Sequence, residues 1–208
     1  MNIIKQPLGH QTATTSWRVV DIVIAAVIAV CSGVIFWAWN STHHIFDGLF
    51  LAFPPATSLV SGMWLFPAVL GALIIRKPGA AIFCEMVAAA VSMLMGSEFG
   101  WTVLAAGLVQ GAGAEIVFAA FRYRKFNLPV ALLAGAGTGL FGGINDAYIF
   151  RYFPEYTDSM LVVYVVCMSI SGIVIAGLLS FLATRALANT GALSALGSRK
   201  AASESVFG

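Results

Sequence analysis

The sequence predicts an all-α integral membrane protein with six transmembrane helices and both the N-terminus and the C-terminus cytoplasmic. Three observations carry that prediction. The 208 residues are 60% hydrophobic and only 10% charged, with a mean hydropathy of +0.92, whereas a soluble domain carries about 25% charged residues. The apolar residues gather into six runs, each near the ~20 residues that a helix needs to cross a bilayer. The basic residues then fall on one side. With the N-terminus inside, Lys5, Arg18, Arg76, Lys77, Arg122, Arg124, Lys125, Arg185, Arg199 and Lys200 are cytoplasmic, and only Arg151 of the eleven is outside, as the positive-inside rule requires. A net charge of +2 distributed in this way is no argument for nucleic acid.

The division of the chain follows. Residues 1–16 form a polar cytoplasmic tail, 17–187 the transmembrane bundle, and 188–208 a serine- and alanine-rich cytoplasmic tail of disordered composition. The first span is Trp17 to Trp39, too long for a signal-peptide core. Ala25, Ala29 and Gly33 recur along it at i+4, a strip smooth enough for another helix to approach. Asp21 belongs at the membrane boundary, and Trp37 and Trp39 mark the opposite interface.

Residues 40–56 make the longest break. They contain His43, His44 and Asp47, then an apolar patch ending in Pro54-Pro55. Adjacent side chains diverge on a regular backbone, so the histidine pair reads as ordinary loop residues and no metal site is expected. The apolar patch suggests a loop folded over the bundle as a lid. The second span, about Thr57 to Ile75, holds Trp64 and is bent at Pro67. Pro78 opens the third span, about Gly79 to Met95, and the fourth runs from about Trp101 to Phe121. The fifth, to about Phe150, carries a Gly135, Gly139, Gly143 strip and ends in Asn145, Asp146 and Tyr148. The sixth, about Ser159 to Thr184, presents Ser169, Gly172, Ala176 and Ser180 on one face and includes Tyr164. Cys31, Cys84 and Cys167 lie inside apolar runs without CxxC spacing, so they read as small packing residues.

Two acids stand out. Glu85 shares a helical face with Ala81, Ala88, Ala89 and Ser92, and Glu115 one with Gly107 and Gly111. Both therefore point toward other helices. Counted from the turn near Glu98 they differ by about one helical turn, roughly 6 Å, which permits a shared cavity. A carboxyl at mid-membrane costs roughly 3 kcal/mol and usually has a functional reason. One reading is a binding cavity, with Gln110 nearby and aromatic walls from Trp37, Trp39, Trp64, Tyr148 and Tyr164. The other is that both acids are protonated and hydrogen-bonded across helices as packing devices. Asp47, Glu98, Asp146, Glu155 and Asp158 make the outer mouth acidic, which favours a cationic solute.

The sequence has no GxxxxGK[ST] phosphate loop, no HExxH and no GxSxG, so ATP hydrolysis by a P-loop and standard hydrolase chemistry are excluded. A proton-coupled secondary transporter of a small cationic solute, with Glu85 or Glu115 as proton carrier, stays open. So does a structural membrane scaffold.

Three stretches carry a family resemblance. They are Gly62-Met-Trp-Leu-Phe, then Ile75-Arg-Lys-Pro-Gly-Ala-Ala ahead of Glu85, then Gly107-Leu-Val-Gln-Gly-Ala-Gly-Ala-Glu115. In that order they resemble the YkoE-type S components of energy-coupling-factor (ECF) transporters, over the first span to the end of the sixth. The resemblance implies a substrate-binding subunit for thiamine or its hydroxymethylpyrimidine moiety in a prokaryotic plasma membrane. It implies no enzymatic activity and no cofactor on this chain. A transmembrane coupling protein and two ATPase subunits would be the partners, with ATP used by the latter. It also implies docking through small residues of the first helix, matched by Ala25 and Ala29, with Gly33 continuing the strip. The substrate-binding candidates are then Glu85, Glu115, Gln110, Trp64, Asn145, Asp146, Trp37, Trp39, Tyr148 and Tyr164.

Overall fold

The computed structural model describes residues 16–207, so the tail expected at 1–16 lies outside the described residues except for Ser16. The described residues form helices and connecting turns, with no strand among them. Helix α1 spans Val19–Thr42. It starts where Arg18 N–H donates to Asp21 Oδ2 at 2.9 Å and the Arg18 guanidinium meets Oδ1 at 2.6 Å. An acid in the first turn complements the helix dipole, which is why Asp21 is tolerated at this edge.

The small-residue strip of α1 is filled by the chain itself. Ala25, Ala29 and Gly33 are buried against α3 (Ala80–Leu94). A Cβ added at Gly33 would come within 2.7 Å of the Ala88 carbonyl oxygen. The expected partner-docking strip is therefore closed, because α3 already occupies it. What α1 leaves exposed is the opposite face, with Val23, Val27, Val30 and Val34.

After α1 the chain tightens into a 3₁₀ segment, His43–Phe50, and a second one, Pro54–Trp64. The expected loop is thus mostly wound, and Ile45, Leu49 and Leu51 stay exposed instead of folding over the bundle. Helix α2 is only Phe66–Ile75, with Pro67 in its first turn. Pro67 does not bend a long helix as the sequence suggests. It opens a new one, where a missing N–H costs nothing. The consequence is a helix N-terminus inside the bundle, whose free amides need acceptors.

Helix α4 is Thr102–Ala120 and α5 is Leu128–Ile144, continued as one wide π turn, Asn145–Ile149. The last rod runs through α6 (Asp158–Ser171), a wide segment Gly172–Leu179, and α7 (Ser180–Asn189). Among the described residues, five helical stretches are long and apolar enough to cross a membrane, and α3 is a shorter apolar helix. Its 15 residues rise about 22 Å, short of the ~30 Å hydrocarbon core. The predicted glycine strips sit at the closest crossings. Gly135 of α5 backs onto the Gly172 carbonyl, and Gly139 onto Met168 and Ser169. No side chain fits between these backbones.

The C-terminal tail is folded, contrary to its disordered composition. Leu193 and Leu196 are buried in the cluster that holds Ile74, Ile75 and Ala80. Ser198 Oγ donates to the Ile74 carbonyl at 2.7 Å, and the Arg76 guanidinium grips both Glu204 oxygens at 2.7 Å. Arg185 donates to the carbonyls of Ala201, Ala202 and Glu204. Cationic side chains collect the tail's carbonyls, and two leucines anchor it. Composition alone reports neither.

Candidate functional site

A cavity of about 480 Å³ opens at the end of the bundle opposite the basic clusters. The end of α1 supplies Asn40, and the first 3₁₀ segment supplies His43, His44 and Asp47. The second 3₁₀ segment gives Ser61 and Trp64, the α3–α4 turn Glu98 and Phe99, and α4 Gln110. Asp146 enters from the π turn after α5, Tyr152 and Phe153 from the following loop, and Tyr164 and Met168 from α6. Among the described residues, three carboxylates line this space and no Lys or Arg does.

The walls are fixed by their own hydrogen bonds. Trp64 Nε1 donates to Asn40 Oδ1 at 2.7 Å, and the Asn40 amide donates onward to Ser97 Oγ at 2.9 Å. His43 and Phe99 meet the Trp64 ring edge-on, at centroid distances of 4.9 and 6.1 Å. Asp146 accepts from Asn145 Nδ2 at 3.0 Å and from the Tyr164 hydroxyl at 3.3 Å. The Tyr152 hydroxyl donates to Thr102 Oγ1 at 2.8 Å, and burial pushes its phenol above the ordinary value, so it stays a neutral donor. Preformed aromatic walls with a few fixed polar groups are what a small-molecule site needs. A cation with flat rings suits the charge and the stacking surface.

Residues 20–141 match a family model described as an ABC-type cobalt transport system permease component. A Bacillus subtilis (strain 168) relative carrying the name HMP/thiamine permease protein YkoE is 38% identical over 183 residues. That match covers 87% of this chain and 89% of the relative. A crystal structure of an S-component of an ECF transporter superposes with a TM-score of 0.81 at 37% identity. It covers 89% of this chain and 92% of that one. The chain belongs to the YkoE-type S components of ECF transporters.

Within this S component, the expected site residues separate into three groups. Gln110, Trp64, Asp146 and Tyr164 line the cavity, and Asn145 stands behind Asp146 as its donor. Trp39 packs on Trp64 at 6.2 Å without lining the cavity, and Trp37 and Tyr148 are exposed on the outer surface. Glu85 and Glu115 do not line it at all.

Both acids end buried helix termini instead. Glu85 Oε2 accepts the Ala68 N–H of α2 at 2.8 Å. Glu115 accepts Gly79 N–H at 2.5 Å and Ala81 N–H at 2.9 Å at the start of α3, and the Tyr123 hydroxyl at 2.7 Å. Of the two sequence readings, the geometry matches the hydrogen-bonded packing device in its contacts, with each acid acting as an acceptor. The small-residue faces do bring both acids to other helices, but what they meet there is backbone, with the Tyr123 hydroxyl added at Glu115.

Sequence reasoning missed Asn40, Ser61, Glu98, Phe99, Tyr152, Phe153 and Met168 as cavity residues. Glu98 had a signal, its place at the acidic mouth, but that reads equally well as topology. The others are scattered over α1, the second 3₁₀ segment, the α3–α4 turn, the loop before α6 and α6 itself, and carry no shared spacing.

Proposed function

We propose that this S component captures thiamine or its hydroxymethylpyrimidine moiety from the outer side of a prokaryotic plasma membrane. A transmembrane coupling protein and two ATPase subunits would then drive its release inward. The observation that carries the reading is the cavity of about 480 Å³ walled by aromatic rings and by Asp47, Glu98 and Asp146, with no Lys or Arg among the described residues that line it. Thiamine is an organic cation with two flat rings. Carboxylates neutralise its fixed charge and accept from its amino group, and Trp64 and Phe99 offer ring faces. The relative's name, which couples HMP to thiamine, supports the same ligand class. The cobalt description of the family model fits the cavity less well, since a bare ion needs a few ligand atoms and not a space of this volume.

On this reading the chain performs no chemistry, binds no cofactor of its own and leaves ATP to its partners. Glu98 and Asp146 are the carboxylates assigned to the ligand, and Asn145 and Tyr164 hold Asp146 in place. Docking on the coupling protein falls to a surface other than Ala25, Ala29 and Gly33.

The test is a titration of purified protein followed by intrinsic tryptophan fluorescence, because Trp64 lies in the wall. Thiamine should give a saturable change that hydroxymethylpyrimidine competes for. A flat response to both compounds, in protein with an intact helical circular-dichroism spectrum, refutes the assignment.

A further inference from the structure

The geometry points to a divalent transition-metal site at the mouth of the cavity, formed by His43, His44 and Glu98. We propose that an ion such as Zn²⁺ binds there and latches the His43–Phe50 segment to the α3–α4 turn. This inference shares the Glu98 carboxylate with the thiamine reading but rests on the His43–His44–Glu98 geometry alone and needs no ligand in the cavity.

The two histidines, adjacent in sequence, do not diverge. Their ring centroids are 3.9 Å apart. His44 Nε2 lies 3.4 Å from one Glu98 oxygen and His43 Nε2 3.9 Å from the other. One ligand atom from each of the three residues can be chosen so that all lie within 4.8 Å of one another. Ligand atoms around a tetrahedral zinc ion stand about 3.4 Å apart.

The hydrogen bonds behind the rings select the metal-binding tautomer. His43 Nδ1 lies 3.0 Å from the Asn40 carbonyl, and His44 Nδ1 lies 3.0 Å from Asp47 Oδ2. Carbonyl and carboxylate oxygens only accept, so both Nδ1 atoms carry hydrogen. In the neutral rings, both Nε2 lone pairs then face the Glu98 carboxylate. Acceptors facing acceptors repel unless a cation stands between them, and that cation is either a metal ion or a proton on each ring. A histidine whose far nitrogen donates to a carboxylate or carbonyl is the usual support of a metal ligand. Imidazole with carboxylate suits zinc and its first-row neighbours over magnesium or calcium. With three protein ligands, a fourth position stays open toward the cavity.

The experiment titrates tag-free, chelator-stripped protein in detergent with Co²⁺ alone, in the absence of thiamine. The readouts are calorimetric stoichiometry and the visible absorption of four- or five-coordinate cobalt. One equivalent should bind with that absorption, and Zn²⁺ should displace it. His44→Ala and Glu98→Gln should abolish the absorption, and Asp47→Asn should weaken binding by about 10–100-fold. Glu155→Gln, at the acidic end but outside the cluster, should bind like the wild type. Absence of one-to-one binding, or equal binding by wild type and His44→Ala, overturns the site. Hydrogen exchange tests the latch. Zn²⁺ should slow exchange in residues 43–50, and unchanged exchange at saturating Zn²⁺ overturns the latching role.

Discussion

Glu85 Oε2 accepts the backbone N–H of Ala68 at 2.8 Å across 17 residues of chain. That contact ties a fully buried acid on α3 to the first turn of α2, just past Pro67. Inside a bilayer the amide has no water to turn to, so the chain must supply its acceptor. Pro67 and Glu85 are therefore one device, the first opening a helix within the membrane and the second completing its end. Glu85→Ala should lower stability by about 1–3 kcal/mol, the cost of an orphaned buried donor. Glu85→Gln keeps an acceptor and should recover most of it. Thermal unfolding in detergent measures both, and thiamine affinity of the folded variants should stay unchanged.

Glu115 does the same for α3, with Tyr123 as its third donor at 2.7 Å. Burial first, then the hydrogen bond to Glu115, raises the Tyr123 phenol above its ordinary value, so it remains a donor at neutral pH. Tyr123→Phe should cost about 0.5–1.5 kcal/mol. Glu115→Ala strips acceptors from Gly79 and Ala81 together and should cost more. A thermal melt in which the two variants match would contradict the shared-cap geometry.

These two acids also mark how far the sequence is legible. Hydropathy and the placement of arginine and lysine give the all-helical membrane fold, because lipid imposes those patterns residue by residue. The glycine strips at Gly135 and Gly139 are legible for a similar reason, since only small residues allow such backbone approach. Burial of Glu85 and Glu115 is legible too. Their partners are not, because a backbone N–H has no sequence signature and becomes free only where a helix starts, at Pro67 for α2 and just after Gly79 for α3. The cavity is half legible. Asp146, Gln110, Trp64 and Tyr164 stand out as polar or aromatic residues in spans. Glu98 and His44 meet across 54 residues through two turns, and nothing in a linear pattern joins them.

The crossing of α5 with the wide segment Gly172–Leu179 yields a packing prediction. A Cβ at Gly135 would collide with the Gly172 carbonyl, and the Gly177 amide nitrogen lies 2.8 Å from the same point. Backbone on both sides cannot step aside as a side-chain tip would. Gly135→Ala should destabilise by about 1–3 kcal/mol through overpacking. Gly48→Ala, where an added Cβ meets nothing within 4 Å, should melt like the wild type. Equal melting of Gly135→Ala and wild type would show that the two segments stand farther apart.

The cavity carboxylates make the prediction that bears most directly on function. Asp146 is held by Asn145 and Tyr164, while Glu98 stands at the mouth beside the histidines. An acid that pairs with a desolvated cation contributes more than one at an exposed rim. Asp146→Asn should therefore weaken thiamine binding by at least about tenfold, equivalent to 1.4 kcal/mol. Glu98→Gln, at an exposed carboxylate, should weaken it less. Tyr164→Phe removes a positioning donor and should fall between wild type and Asp146→Asn. For a neutral pyrimidine, which carries no fixed charge, the Asp146→Asn loss should shrink. Calorimetric titration of the four proteins with thiamine and with hydroxymethylpyrimidine separates these terms. If Asp146→Asn binds both ligands as the wild type does, the acid only positions Tyr164, and the cation must be met by another group in the wall.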